Sequence, residues 1–237
     1  MRLGVNIDHV ATLREARAGL EPEIALAALI VERSGANSLV VHLREDRRHI
    51  QDNDLWVLKE ILSLPLNLEM SISKKIVDIA SKVKPNRATL VPEKRAELTT
   101  EGGLDVVKGF KRIKHAIGRL NKNGIEVSIF IDPNFRQIKA VNALGVNSIE
   151  LHTGRYANAK NYSELQKSLN EIKQAAIYAK SLGLNVFAGH GLGYNNVSSI
   201  AKIKQIEELN IGHSIISKAV FVGLGKAVKE MKRLIER

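Results

Sequence analysis

The chain has 237 residues, of which 44% are hydrophobic, so it can bury one large core and we expect a single domain over residues 1–237. Cysteine is absent, which excludes disulfides, thiolate nucleophiles and cysteine-ligated metals. The 36 basic residues outnumber the 25 acidic ones, which gives a net charge of +11. Only 4% of residues are aromatic, and this low content favours small phosphorylated ligands over nucleic acid as partners of the basic groups.

Short apolar runs alternate with longer amphipathic segments along the whole chain. Strands are predicted at residues 3–7, 38–43, 66–70, 88–91, 126–131, 148–152, 185–189 and 209–213. Helices are predicted between them, including residues 24–33, 55–62, 76–83, 110–120 and 162–182, with a long loop at 92–106. Eight strand–helix units in series without a linker predict an α/β fold, a closed parallel (β/α)8 or TIM barrel with extra helices, rather than an open doubly wound sheet.

The longest wholly apolar run, residues 24–31, is too short to span a bilayer. The amino-terminal residues run directly into a strand-like pattern, with no basic region followed by an apolar one. We therefore expect a soluble, cytoplasmic protein with no membrane partner.

Three histidines occupy equivalent places in a weak internal repeat. A Gly-x-Asn sequence followed by a short strand leads to His42, His152 and His190, each seven residues after the glycine. The carboxyl ends of the strands of a parallel barrel meet at one mouth, where such barrels build their sites. The three side chains are therefore expected to lie at that mouth.

Period-two alternation places further polar side chains at the same mouth. Ten residues are predicted to ring it: Asn6, Asp8, His9, His42, Glu69, Asp132, Glu150, His152, His190 and His213. So many ionisable groups at one end of a barrel favour a functional site over packing, because unpaired buried charge is costly. Asp132 has a second interpretation as the cap of a following helix, in the sequence Asp-Pro-Asn-Phe.

Two regions of the mouth are suited to anions. Glycine-rich turns follow the seventh and eighth predicted strands, at residues 188–196 and 210–220, and backbone N–H groups of such turns cradle phosphate. Across the mouth, Arg44 with His42 and His49 forms a second cationic group that suits a phosphate clamp. Arg47 and Arg48 are instead expected to pair with neighbouring acids. Two anion sites imply a bisphosphate or two phosphorylated substrates.

Several long motifs carry a family resemblance. GVNIDHVATLREAR, VHLREDRRHIQDND, NLEM, LVPEKRAELTTEGGLDV, IELHTGRYA, AGHGLGYNNV and ELNIGHSIISKAVFVGL, in this order and over nearly the whole chain, resemble the pyridoxine 5′-phosphate synthase family of vitamin B6 biosynthesis. The resemblance implies a transferase on a (β/α) barrel, assembled as a homo-octamer that is a tetramer of dimers. It implies condensation of 3-amino-2-oxopropyl phosphate with 1-deoxy-D-xylulose 5-phosphate to pyridoxine 5′-phosphate, phosphate and water, by Schiff-base formation, acid/base-assisted eliminations and ring closure.

The same resemblance assigns roles to individual residues. The expected catalytic residues are the proton acceptors His42 and Glu69, the proton donor His190, and Glu150, which stabilises a transition state. The amino-ketone phosphate is expected at Asn6, Arg17, Gly191, Gly212 and His213, with Arg17 reaching a neighbouring subunit's site. The deoxyxylulose phosphate is expected at Asp8, His9, Arg44, His49 and Thr99, and the loop around Thr99 is expected to act as a lid that excludes water.

Two other functions stay open on the sequence. A lysine-dependent aldolase or a sugar-phosphate isomerase would use the same barrel, with Lys94 as the plausible Schiff-base lysine. A basic RNA-binding barrel would bind nucleic acid with strong salt dependence and would not use His190 or Glu69. In the synthase the substrate's own amine forms the Schiff base, and none of the eight predicted strands ends in lysine. We expect no cofactor and no metal, since the strand-end histidines lack a short ligand spacing.

Overall fold

The computed structural model describes residues 1–93 and 102–236 of the chain. Its strands are β1 (Arg2–Asn6), β2 (Ser38–Leu43), β3 (Leu66–Met70), β4 (Arg87–Leu90), β5 (Glu126–Ile131), β6 (Ser148–His152), β7 (Asn185–Gly189) and β8 (Glu208–Ile211). Its helices are α1 (Asp8–Glu15), α2 (Ile24–Arg33), α3 (Asp52–Ile61), α4 (Lys74–Val83), α5 (Val106–Asn121), α6 (Phe135–Ala143), α7 (Gly154–Ala157), α8 (Tyr162–Ser181), α9 (Val197–Ala201), α10 (His213–Val222) and α11 (Leu224–Ile235).

The strands form one closed parallel barrel in sequence order. Closure pairs the first strand with the last, with Arg2 opposite Glu208 and Val5 opposite Ile211. Within the described residues, β1, β6 and β8 are each followed by two helices instead of one. The predicted closed parallel (β/α)8 barrel with extra helices is therefore confirmed.

The predicted bounds of β2, β3, β5, β6 and β7 agree with the structure, and those of the other three strands do not. β1 and β4 each begin and end one residue before the predicted range. β8 ends at Ile211 instead of at His213, because Gly212 immediately precedes α10 and His213 is its first residue. His213 therefore projects from the amino-terminal end of a helix and not from a strand.

α3, α4 and α5 begin earlier than their apolar patterns indicate, and polar caps start two of them, α3 and α5. Gln51 and Asp54 form a reciprocal capping box at the start of α3. The side chain of Asp105 accepts a hydrogen bond from the backbone N–H of Lys108 at the start of α5. The capping residues satisfy backbone N–H groups that the first turn leaves without an intrahelical partner.

The helices pack one apolar face against the outside of the barrel. On α4, Ile76, Ala80 and Val83 are buried at three- and four-residue spacing. On α11, Ala227 and Met231 are buried at four-residue spacing. None of the helices in the described ranges combines the length and the apolar character that are needed to cross a bilayer.

The strands divide their side chains between this outer core and the barrel interior. On β2, Leu39, Val41 and Leu43 belong to the hydrophobic core that joins barrel and helices. The alternate residues, Ser38 and His42, are buried inside the barrel. The interior is polar, with buried side chains that include Asn67, Thr89, Ser128, Ser148, Glu150, Glu208 and Asn210.

An ion pair crosses the amino-terminal end of the barrel. Nη1 of Arg87, at the start of β4, donates to Oε1 of Glu208 on β8 at 2.8 Å. The guanidinium carbon of Arg87 lies 4.1 Å from the centre of the Phe187 ring. β4 and β8 lie on opposite sides of the eight-strand order, so this contact fills the floor of the barrel and leaves the carboxyl end for a site.

Candidate active site

Asp8 connects β1 to β2 at the carboxyl end of the barrel. Its Oδ1 accepts a hydrogen bond of 2.8 Å from the backbone N–H of His42, and its Oδ2 accepts one of 2.8 Å from Nδ2 of Asn6. Burial raises the pKa of Asp8 to about 7, although both hydrogen bonds favour the ionised form. The carboxyl group is therefore divided between its two protonation states near neutral pH.

His42 lies between two carboxyl groups. Its Nδ1 is 3.9 Å from Oε2 of Glu69 on β3, and its Nε2 is 3.9 Å from Oε2 of Glu93, which follows β4. Burial, and after it the nearby His49 and Arg44, lowers the pKa of His42 to about 3. The imidazole is therefore neutral at neutral pH and available as a proton acceptor.

Two carboxyl groups in the barrel favour their protonated forms. Burial, with a further contribution from Glu150 and Asp8, raises the pKa of Glu69 well above its ordinary value. Burial also raises the pKa of Glu150 to about 7, against a hydrogen bond from Asn210 that favours the ionised carboxylate. Near neutral pH the site thus holds carboxyl groups able to donate protons as well as neutral histidines able to take them.

His152 and His190 meet at the ends of β6 and β7, with ring centres 5.0 Å apart. The Phe130 ring lies 5.2 Å from that of His152 and supports the pair from β5. Burial, followed by the neighbouring His152, lowers the pKa of His190 to about 4. His190 adopts a φ of 78° and Gly191 after it also has a φ of 78°, so the chain turns sharply as β7 ends.

Asp132 does not cap α6, so that interpretation of the sequence is wrong. Asn134 caps the helix, and its Oδ1 accepts a hydrogen bond of 2.8 Å from the backbone N–H of Arg136. Oδ1 of Asp132 instead lies 3.0 Å from Nδ1 of His152 and accepts a hydrogen bond from the backbone N–H of Gly103. The hydrogen bond with His152 lowers the pKa of Asp132, and the carboxylate belongs to the mouth.

The two glycine-rich turns approach β1 and α7 closely. A Cβ on Gly191 would lie 2.6 Å from Cβ of Ala157, and one on Gly212 would lie 2.9 Å from Cβ of Asn6. Larger residues would force these backbones apart, so glycine is required for the turns to sit where they do. The His213 ring meets the His9 ring edge to face at 5.0 Å, which brings the start of α10 to the mouth.

A cavity of about 380 Å³ lies beside these turns and shares His213 with the mouth. Its lining is formed by Gly193, Tyr194, Asn195, Asn196, His213, Ser214, Ser217, Lys218 and Phe221.

Arg44 and His49 lie on the β2 side of the mouth. Arg44 is 5% exposed, and its Nε is 3.9 Å from Oε1 of Glu93. Nδ1 of His49 accepts a hydrogen bond of 2.9 Å from the backbone N–H of Ile50, which leaves Nε2 as its proton-bearing nitrogen. Burial, and after it Arg44, lowers the pKa of His49 to about 4. This side of the mouth presents one buried guanidinium and one neutral imidazole with a donor.

The half-buried arginines of the same loop, Arg47 and Arg48, form ion pairs, as expected. Nη2 of Arg48 lies 2.7 Å from Asp46, and Nε of Arg47 lies 2.6 Å from Asp52.

Of three further residues that the sequence singled out, the structure describes only Arg17. Arg17 is exposed in the turn after α1. Thr99, with the centre of the predicted lid, lies outside the described residues, as does Lys94.

Among the residues that the structure describes, one group has side chains placed to hold a metal ion. Asp8, His42 and Glu69 each offer a ligand atom, and these atoms lie within 4.8 Å of one another. The expectation of no metal stays a prediction.

Sequence reasoning missed two buried site neighbours, Asn210 and Glu93. Asn210 is 5% exposed and hydrogen-bonds to Glu150. A signal for it existed, because Asn210 shares the period-two face of β8 that leads to Gly212. Glu93 lies just after β4, in a stretch that reads as the beginning of a loop.

Comparison with known proteins gives matches over the full chain. Residues 3–237 match the family described as Pyridoxal phosphate biosynthesis protein PdxJ. The protein named pyridoxine 5′-phosphate synthase from Sulfurihydrogenibium sp. (strain YO3AOP1) is 57% identical over 99% of this chain and 98% of its own length. The protein of the same name from Aquifex aeolicus (strain VF5) is 53% identical over 100% of both chains.

Solved structures show the fold at lower identity. A 3-hexulose-6-phosphate synthase is 15% identical, with a TM-score of 0.67 and coverage of 99% of both chains. A phosphoribosylanthranilate isomerase from Thermotoga maritima is 14% identical, with a TM-score of 0.60, over 100% of this chain and 98% of its own. These likenesses concern the barrel alone, whereas the sequence matches confirm the family resemblance.

Proposed function

Since the chain belongs to the family of the Pyridoxal phosphate biosynthesis protein PdxJ, we propose that it acts as a pyridoxine 5′-phosphate synthase. It condenses 3-amino-2-oxopropyl phosphate with 1-deoxy-D-xylulose 5-phosphate and releases phosphate and water. Relatives that share more than half of its residues carry that name. The observation that supports it most is the combination, in one barrel mouth, of neutral histidines with carboxyl groups that favour protonation.

The reaction requires several proton transfers and no enzyme nucleophile. The substrate amine attacks the ketone, so the Schiff base forms between the substrates. In agreement with this, no lysine is among the buried polar residues of the described ranges. A positioned acid or base contributes typically ~10²–10⁴ in rate to each transfer.

His42 and Glu69 serve as proton acceptors and His190 as the donor in this proposal. Burial keeps His42 and His190 neutral and favours the protonated form of Glu69. Each phosphate brings negative charge, which raises the pKa of a nearby histidine and favours the imidazolium form. His190 thereby gains its proton when the substrates bind, and Glu69 becomes a base after it has given its own proton away.

Glu150 stabilises charge in the transition state in this scheme. Its pKa of about 7 leaves both forms populated near neutral pH. Its carboxyl group can therefore stabilise a developing positive charge as the carboxylate or donate a hydrogen bond as the acid.

The two phosphorylated substrates occupy adjoining parts of the mouth in this proposal. The amino-ketone phosphate contacts the glycine-rich turns, at Asn6, Gly191, Gly212 and His213, together with Arg17. The deoxyxylulose phosphate contacts the side formed by Asp8, His9, Arg44 and His49, together with Thr99. Backbone N–H groups and arginine guanidinium groups are both well suited to hold phosphate.

The experiment is incubation of the purified protein with both phosphorylated ketones, with pyridoxine 5′-phosphate and released phosphate measured together. His190→Asn is expected to abolish both products, because asparagine keeps a polar side chain but does not carry the proton. His115→Asn is the matched control, since His115 is exposed on α5. Formation of both products at the normal rate by His190→Asn would exclude its role as donor, and absence of product with the unmodified protein would exclude the synthase.

The protein self-associates as a homo-octamer built from dimers, in the cytoplasm, in this proposal. Val220 and Phe221 on α10 are 71% and 86% exposed, and Leu20, beyond α1, is 89% exposed, which leaves apolar surface for a partner. Arg17 lies near Leu20 in the chain, and an exposed position allows it to enter a neighbour's mouth.

Mixing two inactive variants tests the shared site. Arg17→Ala lacks the arginine and His190→Asn lacks the donor. If Arg17 serves a neighbouring subunit, hybrids formed after the subunits are mixed contain some intact sites, and activity returns. Persistent inactivity in hybrids of demonstrated mixed composition would place Arg17 in its own subunit's site or outside any site.

A further inference from the structure

We infer that Glu93 is a positioning residue for His42, holding the imidazole in the tautomer that leaves Nδ1 free to accept a proton beside Glu69. This inference rests on the proton-accepting role proposed for His42. Neither the sequence motifs nor the family resemblance assigned Glu93 a role.

The side chain of Glu93 is fixed against the loop that follows β2. It is 2% exposed, although the residue lies just beyond the end of β4. Its Oε1 accepts a hydrogen bond of 2.6 Å from the backbone N–H of Glu45, and Nε of Arg44 lies 3.9 Å from the same oxygen. One oxygen therefore anchors the carboxyl group to the loop that follows β2.

The other oxygen faces His42. Oε2 of Glu93 is 3.9 Å from Nε2 of His42, and both atoms are buried. Neither has a hydrogen-bond partner among the described residues. A buried polar atom without a partner costs about 1–3 kcal/mol, so a shift of about 1 Å that joins these two atoms is favourable.

That hydrogen bond determines where the imidazole proton lies. A carboxylate can only accept, so Nε2 of His42 carries the hydrogen and Nδ1, 3.9 Å from Glu69, carries the lone pair. When Nδ1 takes a proton from substrate, the cation that forms lies beside the carboxylate of Glu93. The same logic orients histidine in carboxylate–histidine pairs of other enzymes, where the amide analogue of the carboxylate imposes the wrong tautomer.

The charges around Glu93 are compatible with this role. Burial raises its pKa, whereas the Glu45 hydrogen bond and Arg44 favour the ionised form. A substrate phosphate bound at Arg44 would lie near both groups, so ligand binding and the protonation of His42 are coupled through this corner of the mouth.

Glu93→Gln separates positioning from mere anchoring. The glutamine Oε1 still accepts from Glu45, so the loop contact survives. Its amide NH₂ now points at Nε2, which must become the acceptor, and the proton moves to Nδ1. We expect kcat to fall by about 10²–10⁴ while KM for both substrates changes by less than about threefold.

The pH dependence of kcat distinguishes a positioning role from a merely structural one, because a structural role would leave it unchanged. Removal of a neighbouring carboxylate lowers the pKa of an imidazolium, so the acid limb of the kcat profile moves to lower pH in Glu93→Gln. Glu45→Gln makes the same chemical change at the residue whose backbone N–H anchors Glu93, and it keeps that N–H. It is expected to retain kcat and the acid limb.

The outcomes separate this inference from the proposed function. Normal kcat and an unmoved acid limb in Glu93→Gln, with His42→Asn inactive, would overturn the inference and leave the synthase intact. A loss of kcat accompanied by an equal rise in KM or a lower melting temperature, with the acid limb unmoved, would also overturn it. Failure of the unmodified protein to form product would instead remove the proposed function.

Discussion

Nδ2 of Asn210 on β8 donates a hydrogen bond of 2.6 Å to Oε2 of Glu150 on β6, inside the barrel and across β7. Two glycines make room for this pair. A Cβ on Gly189 would lie 2.3 Å from Oε1 of Glu150, and a Cβ on Gly4 would lie 2.2 Å from Oδ1 of Asn210. Glu150 therefore keeps its position through residues on three strands besides its own.

Asn210→Ala should reduce turnover by removing the bond that favours the ionised form of Glu150. The pKa of Glu150, already about 7, should rise further. A hydrogen bond to a charged group contributes about 1.5–3 kcal/mol, so we expect kcat to fall by roughly 10–100-fold and the pH optimum to move upward. Asn142→Ala, on an exposed site of α6, is the control, and an unmoved pH optimum in Asn210→Ala would contradict the prediction.

Gly189→Ala should inactivate the protein through the position of Glu150. The added methyl group overlaps Oε1 of Glu150 and lies 3.0 Å from the carbonyl oxygen of Asn210. We expect kcat to fall by more than about 100-fold, since a displacement near 1 Å can cost that much. Gly118→Ala is the matched control, because a Cβ there meets nothing within 4 Å and alanine favours the helix. Equal activity of the two variants would contradict the expectation.

His42→Asn should change the pH dependence of stability. The pKa of His42 is about 3 in the folded chain, against about 6.5 for an ordinary histidine side chain. Between these values the unfolded chain binds a proton that the folded chain does not, so this residue makes the protein less stable as the pH falls. Between about pH 7 and pH 5, His42 lowers the free energy of unfolding by about 2 kcal/mol.

Asp8 makes the protein more stable as the pH falls over the same range. Its pKa is raised to about 7, so its proton is bound more tightly in the folded chain than in the unfolded chain. Denaturant unfolding of the unmodified protein, His42→Asn and Asp8→Asn at both pH values separates the two contributions. His42→Asn should lose less stability on acidification than the unmodified protein, and Asp8→Asn should lose more. The reverse order would contradict both pKa directions.

Arg44→Met should weaken the binding of one substrate more than turnover. The buried guanidinium lies beside His42 and His49, and methionine replaces its length without its charge. Loss of a charged hydrogen bond to phosphate corresponds to a KM higher by roughly 10–100-fold. Arg48→Met removes the same charge from a surface pair with Asp46 and should leave KM unchanged. Saturation kinetics with each substrate in turn measures KM for both variants. A KM of Arg44→Met equal to that of the unmodified protein for both substrates would exclude Arg44 as a phosphate clamp.

Local patterns determined most of the secondary structure. Strands buried on both faces read as short apolar runs between turns, so β2, β3, β5, β6 and β7 were predicted to the residue. β8 was predicted too long, because Gly212 and His213 follow the strand without a break in the pattern. Asp132 was predicted at the mouth, with a second interpretation as a helix cap, and Asn134 fills that capping role. Both residue types suit a helix start, and the sequence does not show which one turns toward His152.

The sequence by itself determined the barrel, the family and the set of histidines and acids at the strand ends, because alternation and spacing are local properties of the chain. Only the tertiary structure decided which of these groups meet. Glu150 and Asn210 are 60 residues apart in the chain, and Arg87 and Glu208 are 121 apart. Their contacts depend on the register at which the sheet closes. That same closure removes water from the carboxyl and imidazole groups, and this desolvation is what moves their pKa values into the range that acid–base chemistry requires.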